Sequence, residues 1–217
     1  MDFVNALVLL ANFVIVPALS YGSQLALGAI GVTLIYGILR FANFAYGDLM
    51  AFGTMFAILF TWYFQSIGIS FGVLPTALLA IPFAIIIAIL FSLLIDKFVF
   101  SYYRTKKSPP VTLAMVSIGV MFVINAIVRI IIGPFDRRFF DGERFILKAN
   151  EFKEMTGLNE GLTIKSTQVL TLFITVVVVL ILFWFLNKTR TGKSMRAYSD
   201  NEDLALLSGI SPSRVVM

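Results

Sequence analysis

Long apolar runs, separated by short polar clusters, follow one another along the 217-residue chain. They cover about residues 3–20, 22–39, 49–67, 72–95, 111–133 and 167–187. A helix rises about 1.5 Å per residue and a bilayer's hydrocarbon core is about 30 Å thick, so each spanning helix needs roughly 20 such residues. The pattern predicts an all-α, polytopic α-helical membrane protein with about five to six membrane helices. The ambiguity is at the start. Residues 3–39 carry no charge, and only Pro17, Ser20, Tyr21 and Gly22 signal a break. Two spans fit this stretch, and so does one span plus an interfacial or re-entrant piece. The opening "MDFVNALVLL" has Asp2 where a cleaved signal peptide carries Lys or Arg, and it reads as a retained membrane segment.

Within the runs, Ala29, Thr33 and Gly37 stand four apart. Small residues at that spacing let helices approach closely in lipid, which predicts a central position for this helix. Run 72–95 is bulky and almost featureless, a lipid-facing or structural helix that Pro75 and Pro82 would bend. Segment 134–166 is too long for a structureless connection and predicts a small ordered element, either a solvated cover over the helix ends or a contact for an external partner.

Composition agrees with a membrane solvent: 59% of residues are hydrophobic and 13% charged. Mean hydropathy is +0.93. Charge then orients the chain, because cytoplasmic loops keep an excess of Lys and Arg. Loop 96–110 has Lys97, Arg104, Lys106 and Lys107 against Asp96, and the tail adds Lys188, Arg190, Lys193, Arg196 and Arg214. Both are expected inside. Segment 134–166, with six basic and six acidic residues, is expected outside. If all six runs cross, residues 40–48 and the N-terminus lie inside. Arg129, four positions before Gly133, can snorkel to the interface.

The formal charge of +5 is thus placed by topology and calls for no nucleic acid. With no Cys and no His, thiolate and imidazole chemistry is excluded and no cofactor is expected. Gly192-Lys193-Ser194 resembles the end of a phosphate-binding loop. Asn187 stands where the required Gly should be and a membrane run precedes it, so nucleotide binding by this chain is rejected.

Two polar stretches remain. "RFANFAYGDLM", residues 40–50, reads either as a break bordering a translocation path, with Asn43, Tyr46, Gly47 and Asp48 as its candidate residues, or as a cytoplasmic turn. In the turn, Arg40 sets topology and Asp48 caps the next helix. In the tail, Ser199 and Glu202 have capping-box spacing, which predicts a helix that stops at Gly209, and Ser211-Pro212 predicts a further start. The apolar side of that short helix, Leu204, Leu207 and Ile210, calls for a partner protein or the rest of the bundle.

"Asp203-Leu204-Ala205-x-x-x-Gly209-Ile210" resembles the acidic-Ala-Ala-x-x-x-Gly motif of ABC importer permeases. "TRTGKSMRAYSDNEDLALLSGI", followed by "SPSRVV", is similar to its form in LivH-type permeases of branched-chain amino-acid importers. "GAIGVTLIYGILRFANFAYGDLM" resembles the signature of the same family, with Tyr46 where the family usually has His, so that no titrating imidazole is carried over. The resemblance covers roughly residues 20–217. It implies one transmembrane permease domain over 1–217, incomplete at its C-terminus, with a periplasmic segment 134–166 and a cytoplasmic coupling region 188–217. It further implies a multi-pass subunit of the bacterial inner membrane that transports and is not itself an enzyme. The implied partners are a LivM-like second permease, two ABC ATPase subunits, a periplasmic substrate-binding protein and membrane lipid. Glu202, Asp203, Leu204, Ala205, Leu207, Gly209 and Ile210 would couple to the ATPases. The rivals are a urea or short-amide ABC permease and a secondary transporter or channel. Ion-coupled carriers place ionisable groups inside spans, and only Arg129 is available here.

Overall fold

The computed structural model describes residues 2–69, 74–135 and 144–210. Five helices among them are long and apolar enough to cross a membrane: Asp2–Leu39, Tyr46–Ser66, Ala77–Thr105, Pro110–Ile132 and Ser166–Lys188. The fold is all-α and polytopic, as the run pattern predicts, but the first two runs form one continuous helix. It comprises α1 (Asp2–Leu10), a π turn (Ala11–Ile15) and α2 (Val16–Leu39). The break signals fail for identifiable reasons. Val16 N–H reaches back to Ala11 O, five residues away, which widens the backbone just before Pro17, whose ring would otherwise press on the preceding turn. Ser23 Oγ donates to Ser20 O at 2.7 Å, so these polar groups are satisfied without leaving the helix.

The chain divides into two compact units, Met1–Gly31 with Glu143–Arg196, and Val32–Gly142 with Ala197–Met217. In the first, β1 (Phe145–Leu147) pairs antiparallel with β2 (Ile164–Lys165), and α7 (Ala149–Thr156) ends at left-handed Gly157, so segment 134–166 contains the small ordered element expected of it. Thr163 N–H donates to Asn12 Oδ1 at 3.1 Å and ties this element to the first helix. Helix α8 (Ser166–Lys188) follows.

The second unit holds the core. Helices α3 (Tyr46–Ser66) and α4 (Ala77–Ile95) pack through small residues, with Gly53 close enough to Ala88 that an added Cβ would touch it at 3.4 Å. Stacked Phe52 and Phe91 stand 3.9 Å apart between centroids. Phe41, Met55, Phe100 and, from α6 (Pro110–Ile132), Leu113, Val120 and Ile124 complete the cluster. Helix α2, expected at the centre, has Ser23 as its one buried residue among those described. Of the small residues at that spacing, Gly37 makes a close approach, to Ser199 in the tail.

Loop 96–110 also differs from expectation. A π turn (Asp96–Phe100) and α5 (Ser101–Thr105) prolong α4, and Arg104 grips Asp96 with two hydrogen bonds of 2.6 Å across them. The helix stops at Lys107, where φ is 50°, and Pro110 opens α6. Arg129 is exposed in the last turn of α6, where a cation meets the negative end of the helix dipole.

Candidate functional site

The break between α2 and α3 is held by a short series of backbone and side-chain hydrogen bonds. Arg40 is left-handed at φ 57°, and its N–H donates to Tyr36 O at 2.9 Å, closing α2. Phe41 turns inward at 3% exposure. Asn43 Oδ1 accepts from Ala45 N–H at 3.1 Å, and Asn43 O accepts from Tyr46 N–H, which starts α3 with a side-chain turn rather than a serine or aspartate cap. Phe44 N–H donates to Ser117 Oγ at 3.0 Å, and Ser117, wholly buried on α6, donates to Ala114 O at 2.7 Å. Ser117 is buried and Phe44 is exposed, so this part-buried bond is worth about 0.5–1.5 kcal/mol.

The sequence-predicted residues therefore have separate roles. Asn43 shapes the turn. Gly47 lies within α3 and makes no turn, since the left-handed residue is Arg40 and Asn43 bonds the backbone that follows. Tyr46 is the first residue of α3 and is half-buried. Asp48 caps no backbone; in the first turn of α3, its Oδ1 accepts from Asn125 Nδ2 on α6 at 2.9 Å. The dipole of α3 favours a carboxylate there. Neither Ser117 nor Asn125 is marked by charge, the feature by which the sequence reading separates polar stretches from spans. Uncharged polar residues in an apolar helix were the available signal, since in lipid they bond across helices.

An open apolar cleft of about 520 Å³ lies in the same unit, lined by Phe91, Ile95, Tyr103, Val120, Val123 and Ile127 among others. Its walls offer a zwitterionic solute almost no polar partner, so it adds nothing to the polar break.

The tail is built on two short helices, α9 (Arg190–Asp200) and α10 (Glu202–Leu207). After α8, Thr189 Oγ1 accepts Gly192 N–H at 3.0 Å while donating to Phe185 O at 2.7 Å. A Cβ on Gly192 would collide with the Phe185 carbonyl and lie 2.6 Å from Leu186 Cα, so this elbow requires glycine. The Gly-Lys-Ser stretch is helical.

The capping-box expectation is corrected by two residues. Ser199 belongs to α9, and Asn201 caps α10 by accepting Leu204 N–H at 3.1 Å. Glu202 is free to accept from Tyr198 OH at 2.6 Å. Burial, that hydrogen bond and the Glu202 charge push the Tyr198 phenol up to about 12, with the Arg40 charge working against them. The stop at Gly209 is as expected: φ is 79°, and Gly209 and Ile210 N–H groups bond to Leu206 and Ala205 carbonyls. The helix start expected at Ser211-Pro212 lies outside the described residues. Of the candidate coupling residues, Ala205 is buried, Ile210 half-buried, and Glu202, Asp203, Leu204, Leu207 and Gly209 are exposed. Leu204 and Leu207 are 61% and 85% exposed.

One residue brings the two stretches together. Arg40 Nη2 donates to Ser199 O at 2.8 Å, so the end of α2 holds the last turn of α9.

No solved structure matches this chain. Among curated proteins, it is 28% identical over 199 residues to the high-affinity branched-chain amino acid transport system permease protein LivH of Escherichia coli K12 and, to the same extent, to that of Salmonella typhimurium. These alignments cover 90% of this chain and 61% of each relative. The permease protein BraD of Pseudomonas aeruginosa is 25% identical over 203 residues, 93% of this chain and 63% of that protein. The chain thus spans about three fifths of the length of these relatives. The family described as branched-chain amino acid transport system / permease component matches residues 14–217. Five membrane-length helices and a match over nearly the whole chain show that the protein belongs to the branched-chain amino acid transport system permease family.

Proposed function

We propose that this chain acts as a transmembrane permease subunit of an ATP-driven importer for branched-chain or related amino acids, paired with a second permease and served by two ATPase subunits inside and a substrate-binding protein outside. The observation that carries the coupling is α10: a capped helix with a glycine stop, outside the spans, presents Leu204 and Leu207 to solvent beside the charged pair Glu202 and Asp203. Exposed leucines on a rigid short helix are anchors for a groove in a partner. Pull-down of the ATPase and uptake in proteoliposomes test the assignment. Leu204→Asp is expected to weaken both, and unchanged association together with unchanged uptake would sink it.

The proposed orientation keeps loop 106–109 and the tail inside and segment 134–166 outside. Five spans rather than six then put the N-terminus outside, opposite to the six-run expectation. Asn12, near the start of the first helix, bonds Thr163 of the outer segment, while Arg40 at its end bonds Ser199 of the inner tail. The stretch from Asn12 to Leu39 is long enough, at about 1.5 Å per residue, to cross the roughly 40 Å of a bilayer with its headgroups. The chain has no Cys, so single cysteines at Asn12 and Ser199 report sidedness cleanly. Labelling of both from one side would refute the five-span orientation.

For the break, Asn43, Tyr46, Gly47 and Asp48 are assigned to the border of the translocation path. Polar groups of α3 and α6, Asp48 and Asn125 among them, supply hydrogen-bonding capacity between apolar spans. Cysteine labelling at Tyr46 that responds to substrate supports this role. Labelling from inside only, indifferent to substrate and ATPase state, leaves an ordinary turn.

A further inference from the structure

Helix α2 ends in a left-handed residue, a position that glycine usually fills because an L side chain there crowds the following carbonyl. Arg40 fills it at φ 57°. Strain of this kind persists when the side chain does something that glycine could not. Lys107 provides an internal comparison: it too is left-handed, at φ 50°, but no partner for its ammonium stands among the described residues. Arg40 differs in reaching across 159 positions of sequence to donate from Nη2 to Ser199 O. Three residues earlier, a Cβ on Gly37 would stand 3.0 Å from Ser199 Oγ. The end of α2 therefore holds Ser199 twice, by a charged donor at 40 and by an absent side chain at 37.

Each end of this grip is firmly embedded. On one side Phe41 and Ala45 are buried at 3% and 0% exposure. On the other, Tyr198 is buried and bonded to Glu202, and Asn201 caps α10. Arg40 and Ser199 themselves are not sealed from solvent, so the bond sets position more than it adds stability.

We propose that Arg40 is a positioning residue that fastens the α9–α10 element to the end of α2, so that displacement of α10 is delivered to the Phe41–Ala45 break. The role rests on α10 being the ATPase-docking helix.

The test uses the assembled importer in proteoliposomes. Arg40→Gly keeps the left-handed backbone without strain and removes the guanidinium. It is expected to leave the melting temperature unchanged or raised and ATPase association intact, while substrate moved per ATP hydrolysed falls about tenfold, within the usual span of coupling between sites. A substitute tie should then restore coupling. A Cβ at 37 would lie 3.0 Å from Ser199 Oγ, which keeps the Cβ atoms of Gly37→Cys and Ser199→Cys within the roughly 4.5 Å that a disulfide spans, in a chain with no other cysteine. Oxidation in the Arg40→Gly background is expected to recover transport per ATP, and reduction to abolish it again. Unchanged stoichiometry in Arg40→Gly would overturn the proposal, as would a disulfide that forms without restoring it. Loss of ATPase association in Arg40→Gly would also overturn it, assigning Arg40 to docking. Failure of the docking reading itself shows separately, as Leu204→Asp importers that bind ATPase and transport normally.

Discussion

The α2–α3 break and helix α10 both interrupt a greasy chain with polar sequence, and they resolve the interruption in opposite ways. In the break, the polar groups close on one another or on α6: Asn43 on Ala45, Phe44 on Ser117, Asp48 on Asn125. In α10 the backbone is equally well capped, by Asn201 and Gly209, but the apolar side chains face outward. A hydrogen-bonded turn anchored by buried Phe41 and Ala45 makes a stability element. Satisfied backbone with exposed leucines makes a rigid surface whose apolar area remains available for a partner.

The contrast predicts which measurement each region moves. The largest effect is expected for Leu204→Asp with Leu207→Asp. Loss of about 2 kcal/mol or more of interface energy weakens ATPase association roughly thirtyfold, with melting of the isolated subunit almost unmoved. A large drop in melting temperature would instead place these leucines in the fold. Next is Ser117→Ala, which removes the acceptor of Phe44 N–H and is expected to lower unfolding free energy by about 0.5–1.5 kcal/mol in denaturant titrations, with ATPase association retained. An unchanged denaturation midpoint would show that the break does not depend on this bond.

Asn201→Ala is expected to cost about 1 kcal/mol of α10 stability, visible as faster amide exchange at Leu204 while exchange in α3 is unchanged. The smallest effect concerns Tyr198. Its phenol is raised from the ordinary 10 to about 12. The folded state therefore holds the proton more tightly, and the associated stability, fully present below pH 10, is lost as pH rises toward 12. Phenolate absorbance should show one tyrosine titrating near 12, and Tyr198→Phe should remove it; disappearance of some other transition would place the raised group elsewhere.

Particular residues show how much was legible in advance. Run length announced the spans, because apolar content and helix rise are properties of sequence alone. Gly209 announced the end of α10, because left-handed closure is a local backbone preference. Pro17 and Gly22 misled, because a π turn and the Ser23–Ser20 bond absorbed them within the helix. Ser199 misled for a related reason: Asn201 offers a competing cap two residues later, and α9 continues through Ser199. At the candidate site Asn43, Asp48 and the α10 residues could be singled out by pattern. Ser117, which bonds Phe44, and Asn125, which bonds Asp48, lie more than 70 positions from those residues, and a single sequence carries no signal of which distant polar groups will meet.

The sequence by itself determined that this is an all-α chain of membrane-spanning helices with a polar break near residue 40 and a capped helix near residue 205, since hydropathy, run length and capping act over a few turns. Tertiary structure decided the rest: that residues 2–39 are one helix, that α3, α4 and α6 form the core of their unit, and that Arg40 meets Ser199. Those outcomes depend on which surfaces find one another. In an apolar solvent that choice rests on close packing and a few long-range hydrogen bonds, whose partners only the folded chain brings together.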